Sequence, residues 1–145
     1  MKKAKLFLLT VLALVLCIPA FADEGRIIPF EQLPDAAKTL LKTYFADKTP
    51  LIVKVDWDEY EIIYQSGEKV EFDLSGNWKE INCRTYAVPA ALVPEQIKTV
   101  VKTQYQDAAI VKLKKGALGY DVKLSSRIEL EFNRDFVIVD IDIDD

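Results

Sequence analysis

The chain has no histidine among its 145 residues. That absence removes Ser-His-Asp and Cys-His catalysis, histidine-ligated zinc and any imidazole proton transfer. Cysteine is almost missing too, with two residues, Cys17 and Cys83. Basic residues are outnumbered, 19 against 23 acidic ones. A negative surface argues against nucleic acid as a partner, because phosphate binding needs positive charge. What is present is ordinary for a globular protein. Hydrophobic residues make up 50% and charged residues 29%, too apolar for a disordered chain. The length allows one domain or two very small ones.

The N-terminus reads as an address. Lys2, Lys3 and Lys5 form a positive region, Leu6 to Ile18 is apolar apart from Thr10, and Ala20-Phe21-Ala22 is a small-x-small site before Asp23. These are the three parts of a secretory signal peptide, in order, with cleavage after Ala22. The apolar run is short for a membrane span, so no membrane insertion is expected once it is removed. Leu16 before Cys17 does not make a lipobox. The expected location is periplasmic or secreted. Removing the three leading lysines turns the net charge from −4 to −7. Cys83 alone survives, so no internal disulfide is possible and stability must come from the core. Without a histidine to activate it, Cys83 reads as a half-buried strand residue.

The remaining chain is written twice. Pro29, Leu33 and Pro34 match Pro89, Val93 and Pro94, and Lys38 to Thr43 matches Lys98 to Thr103, sixty positions apart. The match slips by two at Ile52-Val53-Lys54-Val55 against Ile110-Val111-Lys112-Leu113. It returns at Tyr60 against Tyr120 and at Val70-Glu71-Phe72 against Leu130-Glu131-Phe132. Two copies are too few for a solenoid, and the pattern reads as a tandem duplication.

Each unit opens with a helix. Leu33, Ala37, Leu40, Leu41, Tyr44 and Phe45 recur at helical spacing, as do Val93, Ile97, Val100, Val101 and Tyr105. Pro34 and Pro94 suit the first helical turn, and Asp35 and Glu95 follow at the positive end of the dipole. Alternating strands come next: Val53-Val55-Trp57, Tyr60-Ile62-Tyr64, Val70-Phe72-Leu74 and Trp78 to Asn82, then their counterparts in the second unit. The expected fold is α+β, as two tandem α-β-β-β-β repeats at residues 23–86 and 87–145 behind a signal peptide at 1–22. Each repeat is an antiparallel sheet with one helix on one face. A unit of about 60 residues alone is marginal, so the two are expected to share a sheet or a core.

The Leu-Pro-initiated helix of Lys-x-x-x-Lys type, the strand hairpin and Phe72-Asp73-Leu74-Ser75-Gly76-Asn77-Trp78 resemble the PepSY-like proteins described as β-lactamase-inhibitor-like. The resemblance covers the mature chain. It implies an exported α+β protein and, by analogy of shape, an inhibitor that lays a sheet face over an enzyme. It carries over no catalytic residue. The second unit departs at Asn133-Arg134-Asp135-Phe136, which reads as two residues shorter and lacks the glycine.

Ser66-Gly67-Glu68-Lys69 spells the Ser-x-x-Lys motif of penicillin-binding enzymes. It lies in an expected hairpin without the Ser-Asp-Asn and Lys-Thr-Gly partners, and is read as accidental. Asp140, Asp142 and Asp144 share one strand face and are hard ligands of the kind that hold Ca²⁺, but the spacing is not that of a calcium loop. They read as a charged, solubilising strand end, and no metal or cofactor is assigned. Lys38, Lys42, Lys98 and Lys102 lie off the apolar stripes, giving two basic helix backs. Glu61, Glu71, Asp73, Asp121, Glu129 and Glu131 point away from the apolar strand face, giving an acidic sheet face suited to steering a basic partner. Exposed aromatics would strengthen such a surface, and Trp78 is placed with it. Trp57 continues the inward alternation and is expected in the core. The expectation is a non-enzymatic, exported protein that binds a protein partner, an envelope hydrolase such as a peptidase or β-lactamase, by sheet-face occlusion. The alternative is a small-ligand or calcium-binding module.

Overall fold

The computed structural model describes residues 25–144. The expected signal peptide and cleavage after Ala22 fall outside the described residues, as does Asp145. A short strand β1 (Arg26–Ile27) leads through a 3-10 turn (Phe30–Gln32) into α1 (Asp35–Tyr44). Four strands follow: β2 (Pro50–Val55), β3 (Glu59–Tyr64), β4 (Lys69–Asp73) and β5 (Trp78–Asn82). A second 3-10 turn (Ala90–Leu92) and α2 (Glu95–Gln104) precede β6 (Ile110–Lys115), β7 (Gly119–Leu124), β8 (Ile128–Asn133) and β9 (Ile138–Ile143).

All nine strands form one antiparallel sheet in chain order, β1 to β9. The sequence pattern gives each unit an antiparallel sheet and leaves open whether the two share a sheet or only a core. They share the sheet: β5 pairs with β6 through Glu80↔Lys114, Ile81↔Leu113 and Asn82↔Lys112. Joining them removes two exposed edges, each a row of unsatisfied backbone groups.

Period-two alternation puts Val53, Ile62, Val70, Ile81, Leu113, Val122, Leu130 and Ile141 in one row across eight strands. Both helices cover that face. Ala37 and Leu41 of α1 and Ile97 and Val101 of α2 join the strand residues in a single core. Ile62, Val70, Phe72, Ile81 and Leu113 are fully buried, each worth about 1.5–3 kcal/mol of burial. Pro34 and Pro94 sit one position earlier than expected, as extended caps with ψ 147° and 139°. Their carbonyls accept the first helical bonds, from the N–H of Lys38 at 3.0 Å and of Lys98 at 3.1 Å.

Two details correct the sequence comparison. The two-residue slip is absent: Lys54 faces Glu61 and Lys114 faces Asp121, still sixty apart. The Asn133 turn is not shortened either. Asp73 N–H donates to Asn77 O at 2.8 Å, and Asn133 N–H donates to Val137 O at 2.9 Å. Asp73 Oδ1 accepts from the N–H of Ser75 and Asn77, both at 2.9 Å. Asn133 Oδ1 accepts from Asp135 at 2.9 Å and Val137 at 3.0 Å. Gly76 takes the left-handed position with φ 90° in one turn, and Phe136 takes it with φ 59° in the other. The Phe136 ring stacks on Tyr120 with centroids 5.8 Å apart, which offsets part of the cost of a side chain there.

Candidate functional site

The helices cover one face of the sheet, and the other carries rows of charge. The middle row reads Lys54, Glu61, Glu71, Glu80, Lys114, Asp121, Glu131 and Asp140 from β2 to β9. Its two halves place three carboxylates directly opposite one another, Glu61-Glu71-Glu80 and Asp121-Glu131-Asp140. Like charges so placed repel.

In the first half the repulsion is answered. Lys69 Nζ lies 2.6 Å from Glu71, 3.6 Å from Glu61 and 3.9 Å from Glu80. Lys54 pairs with Glu61 at 2.9 Å, and Lys112 lies 3.6 Å from Glu80. Burial disfavours the charged form of Lys69, but its carboxylate neighbours, Glu71 foremost, outweigh this and raise its pKa. The hydrogen bond to Glu61 raises that of Lys54. The lysine stems cover the carboxylates, so the Glu80 side chain is only 8% exposed.

In the second half the clamp is missing. Sixty positions after Lys69 stands Glu129, and sixty after Asn82 stands Asp142. Asp121, Glu129, Glu131, Asp140 and Asp142 line one shallow depression of about 220 Å³. Lys123 answers them in part, 3.3 Å from Glu129 and bonded to Asp144. These two carboxylates raise the Lys123 pKa, and Lys123 lowers that of Asp144. Across β7 to β9 the outer face therefore sets five carboxylates against Lys123, with Lys114 of β6 opposite Asp121 at the margin. Across β2 to β5 it sets Glu61, Glu71 and Glu80 against Lys54, Lys69 and the β6 residue Lys112, and pairs Glu59 with Lys79.

The residues expected to form an acidic face thus divide. Asp121, Glu129 and Glu131 are exposed and together. Glu61 and Glu71 share their face but are neutralised, because the register brings lysines onto them. Asp73 is held in its own turn, where hydrogen bonds from the backbone and side chain of Asn77 lower its pKa. Trp78 does not belong to this surface. It lies opposite Phe72 on the helix side, half-buried against the core, with Lys115 Nζ 5.9 Å from its ring centroid. Trp57 is the reverse error. The β2–β3 hairpin turns at Asp56–Asp58, ending the alternation, and leaves Trp57 79% exposed. Lys54, Lys69, Glu80, Lys112 and Lys123 were missed as parts of this surface. Aligning Lys69 with Glu129 would have signalled the contrast.

The Ser-x-x-Lys string makes no dyad. The Ser66 hydroxyl donates to Glu68, while Lys69 lies on the carboxylate face. Glu68 is buried at the start of β4, with Lys48 Nζ 3.1 Å from its Oε1. Burial disfavours the Glu68 carboxylate, but hydrogen bonds from Ser66 and the backbone, with Lys48 beside it, hold its pKa below the ordinary value. Lys48 also stands 5.4 Å from the Tyr86 ring centroid, tying the β5–α2 connection to this pair. Cys83 is buried, and burial pushes its thiol up to about 11. The helix side has two open grooves of about 300 and 320 Å³, one by Leu41, Phe45 and Tyr64, the other by Val93, Val101 and Ile110.

A periplasmic protein of Bacteroides thetaiotaomicron, described as "putative calcium-regulated", is 39% identical with a TM-score of 0.79; the match covers 83% of this chain and 98% of that one. A protein of Bacteroides vulgatus from the DUF2874 family, described as a "putative periplasmic protein", is 41% identical with a TM-score of 0.78 and the same coverage. Another B. vulgatus protein, described as a "putative periplasmic protein of unknown function", shares the fold at 23% identity, with a TM-score of 0.77 over 81% of this chain and 98% of that one. No curated protein matches the chain. Among the described residues no helix is long and apolar enough to cross a membrane. Residues 58–140 match the family described as "Putative beta-lactamase-inhibitor-like, PepSY-like", and the chain belongs to this PepSY-like family.

Proposed function

We propose that this chain is a non-enzymatic periplasmic binding protein that docks a basic surface of a protein partner on the outer face of β7–β9. The observation that carries this reading is the contrast between the two carboxylate rows. Lys69 neutralises the first, and Glu129 at the corresponding place adds charge to the second. Keeping three opposed carboxylates without a clamp costs stability, and a surface that steers a cationic partner is a physical reason to keep them. The signal-peptide pattern at residues 1–22 and the periplasmic descriptions of the similar proteins support the location. We read residues 23–86 and 87–145 as two copies of one unit, and the matched turns at Asp73 and Asn133 support this.

The partner class is an envelope hydrolase, a β-lactamase or peptidase, occluded by the sheet face. The β-lactamase-inhibitor-like description of the family supports it. The test titrates the purified protein against β-lactamase and envelope peptidase activities. Stoichiometric loss of rate by the wild-type chain, relieved by Glu129→Lys, supports the reading. Equal inhibition by both chains, or by neither, overturns it.

A calcium-binding reading is second. The B. thetaiotaomicron protein described as calcium-regulated favours it, together with the five clustered carboxylates. Against it, the described residues hold no group of three or more His, Cys, Asp or Glu side chains arranged to hold a metal. A rise in Tm with calcium that magnesium does not reproduce, lost in Glu129→Lys, would favour calcium.

A further inference from the structure

The two ends of the sheet differ. On one side β1 is two residues long, a blunted edge. On the other, β9 runs six residues and, among the described residues, has no neighbour beyond it. Asp144 N–H donates to Arg127 O at 2.8 Å. Alternation in an antiparallel ladder then places the β8-facing groups on Asp140, Asp142 and Asp144, and turns the N–H and C=O of Ile141 and Ile143 to the open edge. In agreement, Ile143 N–H is held by its neighbour's Asp142 Oδ1 at 2.8 Å rather than by β8. The side chains add two distinct flanks. Ile141 and Ile143 are on the helix side of the sheet yet 55% and 66% exposed. Asp140 and Asp142 are on the other side, beside Glu129 and Glu131.

Resting on the docking reading above, we propose that the open edge of β9 takes an extended segment of the partner protein, alternating basic and apolar residues, as a tenth strand. Added to this edge, such a segment sets its apolar side chains against Ile141 and Ile143 and its cationic ones beside Asp140 and Asp142. Main-chain bonds then supply affinity and the alternation supplies specificity. Charge decides the occupant. A second copy pairing through β9 would bring two sets of aspartates onto one face, where like charges repel. The same aspartates that guard the edge against self-association select a cationic strand.

The probe is a capped peptide of about eight residues alternating lysine and valine, long enough for one strand, with a glutamate-valine peptide as control. Hydrogen exchange of the Ile141 amide in the unmodified protein is expected to slow about tenfold or more at saturation with the lysine peptide, and not with the control. Ile141→Pro removes the outward N–H and leaves the β8 ladder intact, a tolerated place for proline. It is expected to weaken the lysine peptide about tenfold or more while the carboxylates stay in place. Should that variant fail to fold, amide exchange in the unmodified protein decides alone. Lysine-peptide binding without protection of Ile141 overturns strand addition and leaves the docking face standing. No binding, equal binding of the control, or Ile141 protection that rises with protein concentration alone each overturn it as well. The hydrolase titration with Glu129→Lys tests the docking reading separately.

Discussion

Replacing Glu129 by lysine rebuilds, in the second half of the sheet, the clamp that Lys69 forms in the first. Lys69 reaches three glutamates between 2.6 and 3.9 Å. A lysine at 129 would stand in the same relation to Glu131, Asp121 and Asp140. Three directly opposed like-charge pairs, Asp121-Glu131, Glu131-Asp140 and Glu129-Asp142, each cost about 0.2–1 kcal/mol, and the substitution turns the last into an attraction. Half-exposed ion pairs return about as much each. The 3.3 Å contact of Glu129 with Lys123 is lost, and the new lysine stands directly opposite Lys123, where Lys69 faces only Ile63. That repulsion offsets part of the gain, although Lys123 keeps Asp144. With that repulsion subtracted, the net expectation is a gain of about 0.5–1 kcal/mol, or about 2–5 °C in Tm for a domain of this size. Circular dichroism melts give the answer. Salt provides the control, since screening relieves repulsion between exposed charges. The wild-type Tm is expected to rise between low and moderate ionic strength, and that of Glu129→Lys to rise less. A variant no more stable than wild type at low salt, or a wild-type Tm indifferent to salt, refutes the account of an unanswered carboxylate row.

Glu68→Gln keeps the size of a buried side chain but loses its charged bonds to Ser66 and Lys48, an expected cost of about 1.5–3 kcal/mol at neutral pH. Because the folded pKa of Glu68 lies below 4.5, its contribution is present above the unfolded value and is lost as pH falls through the folded one. Wild-type and Glu68→Gln melting temperatures should therefore converge in acid; a gap constant with pH refutes the assignment. Gly119 has φ 149°, and an added Cβ would lie 1.8 Å from Phe132 O. Gly119→Ala is expected to cost about 3 kcal/mol or more in chemical denaturation, while Gly116→Ala, whose Cβ would meet Gly119 O at an ordinary 3.9 Å, stays within about 0.5 kcal/mol. Equal effects would contradict the packing of the β6–β7 hairpin. Cys83, buried with its thiol pushed up to about 11, should resist iodoacetamide at pH 8 and react once urea unfolds the chain; rapid labelling of the folded protein would disprove its burial.

Periodicity made much of this fold legible. The helical stripes around Leu41 and Val101 and the alternation through Ile62, Phe72 and Val122 identify the elements and the buried side of each strand, because burial imposes those periods. Similar letters misled where geometry does not follow them. Ile52-Val53-Lys54-Val55 resembles Ile110-Val111-Lys112-Leu113, yet the hydrogen-bond register holds a constant offset. Phe136 conceals a left-handed turn position that Gly76 advertises. The acidic face was half legible. Alternation tells which side chains point outward, and only cross-strand register tells that Lys69 reaches Glu61 and Glu80. Trp57 fell outside the pattern because alternation does not announce where a hairpin turns. That the two units join was legible from their small size, but the particular pairing of β5 with β6 links residues separated by the whole second helix, which local pattern does not encode.

Each strand of this sheet pairs with the one made just before or just after it, helices intervening twice. Pairings of such short sequence separation cost little loop-closure entropy and favour fast folding. A chain threaded through a narrow passage from its N-terminus can therefore zip up strand by strand as it emerges, with no early segment left waiting for a distant mate. Among the described strands, the one that emerges last, β9, is also the longer of the sheet's two edges.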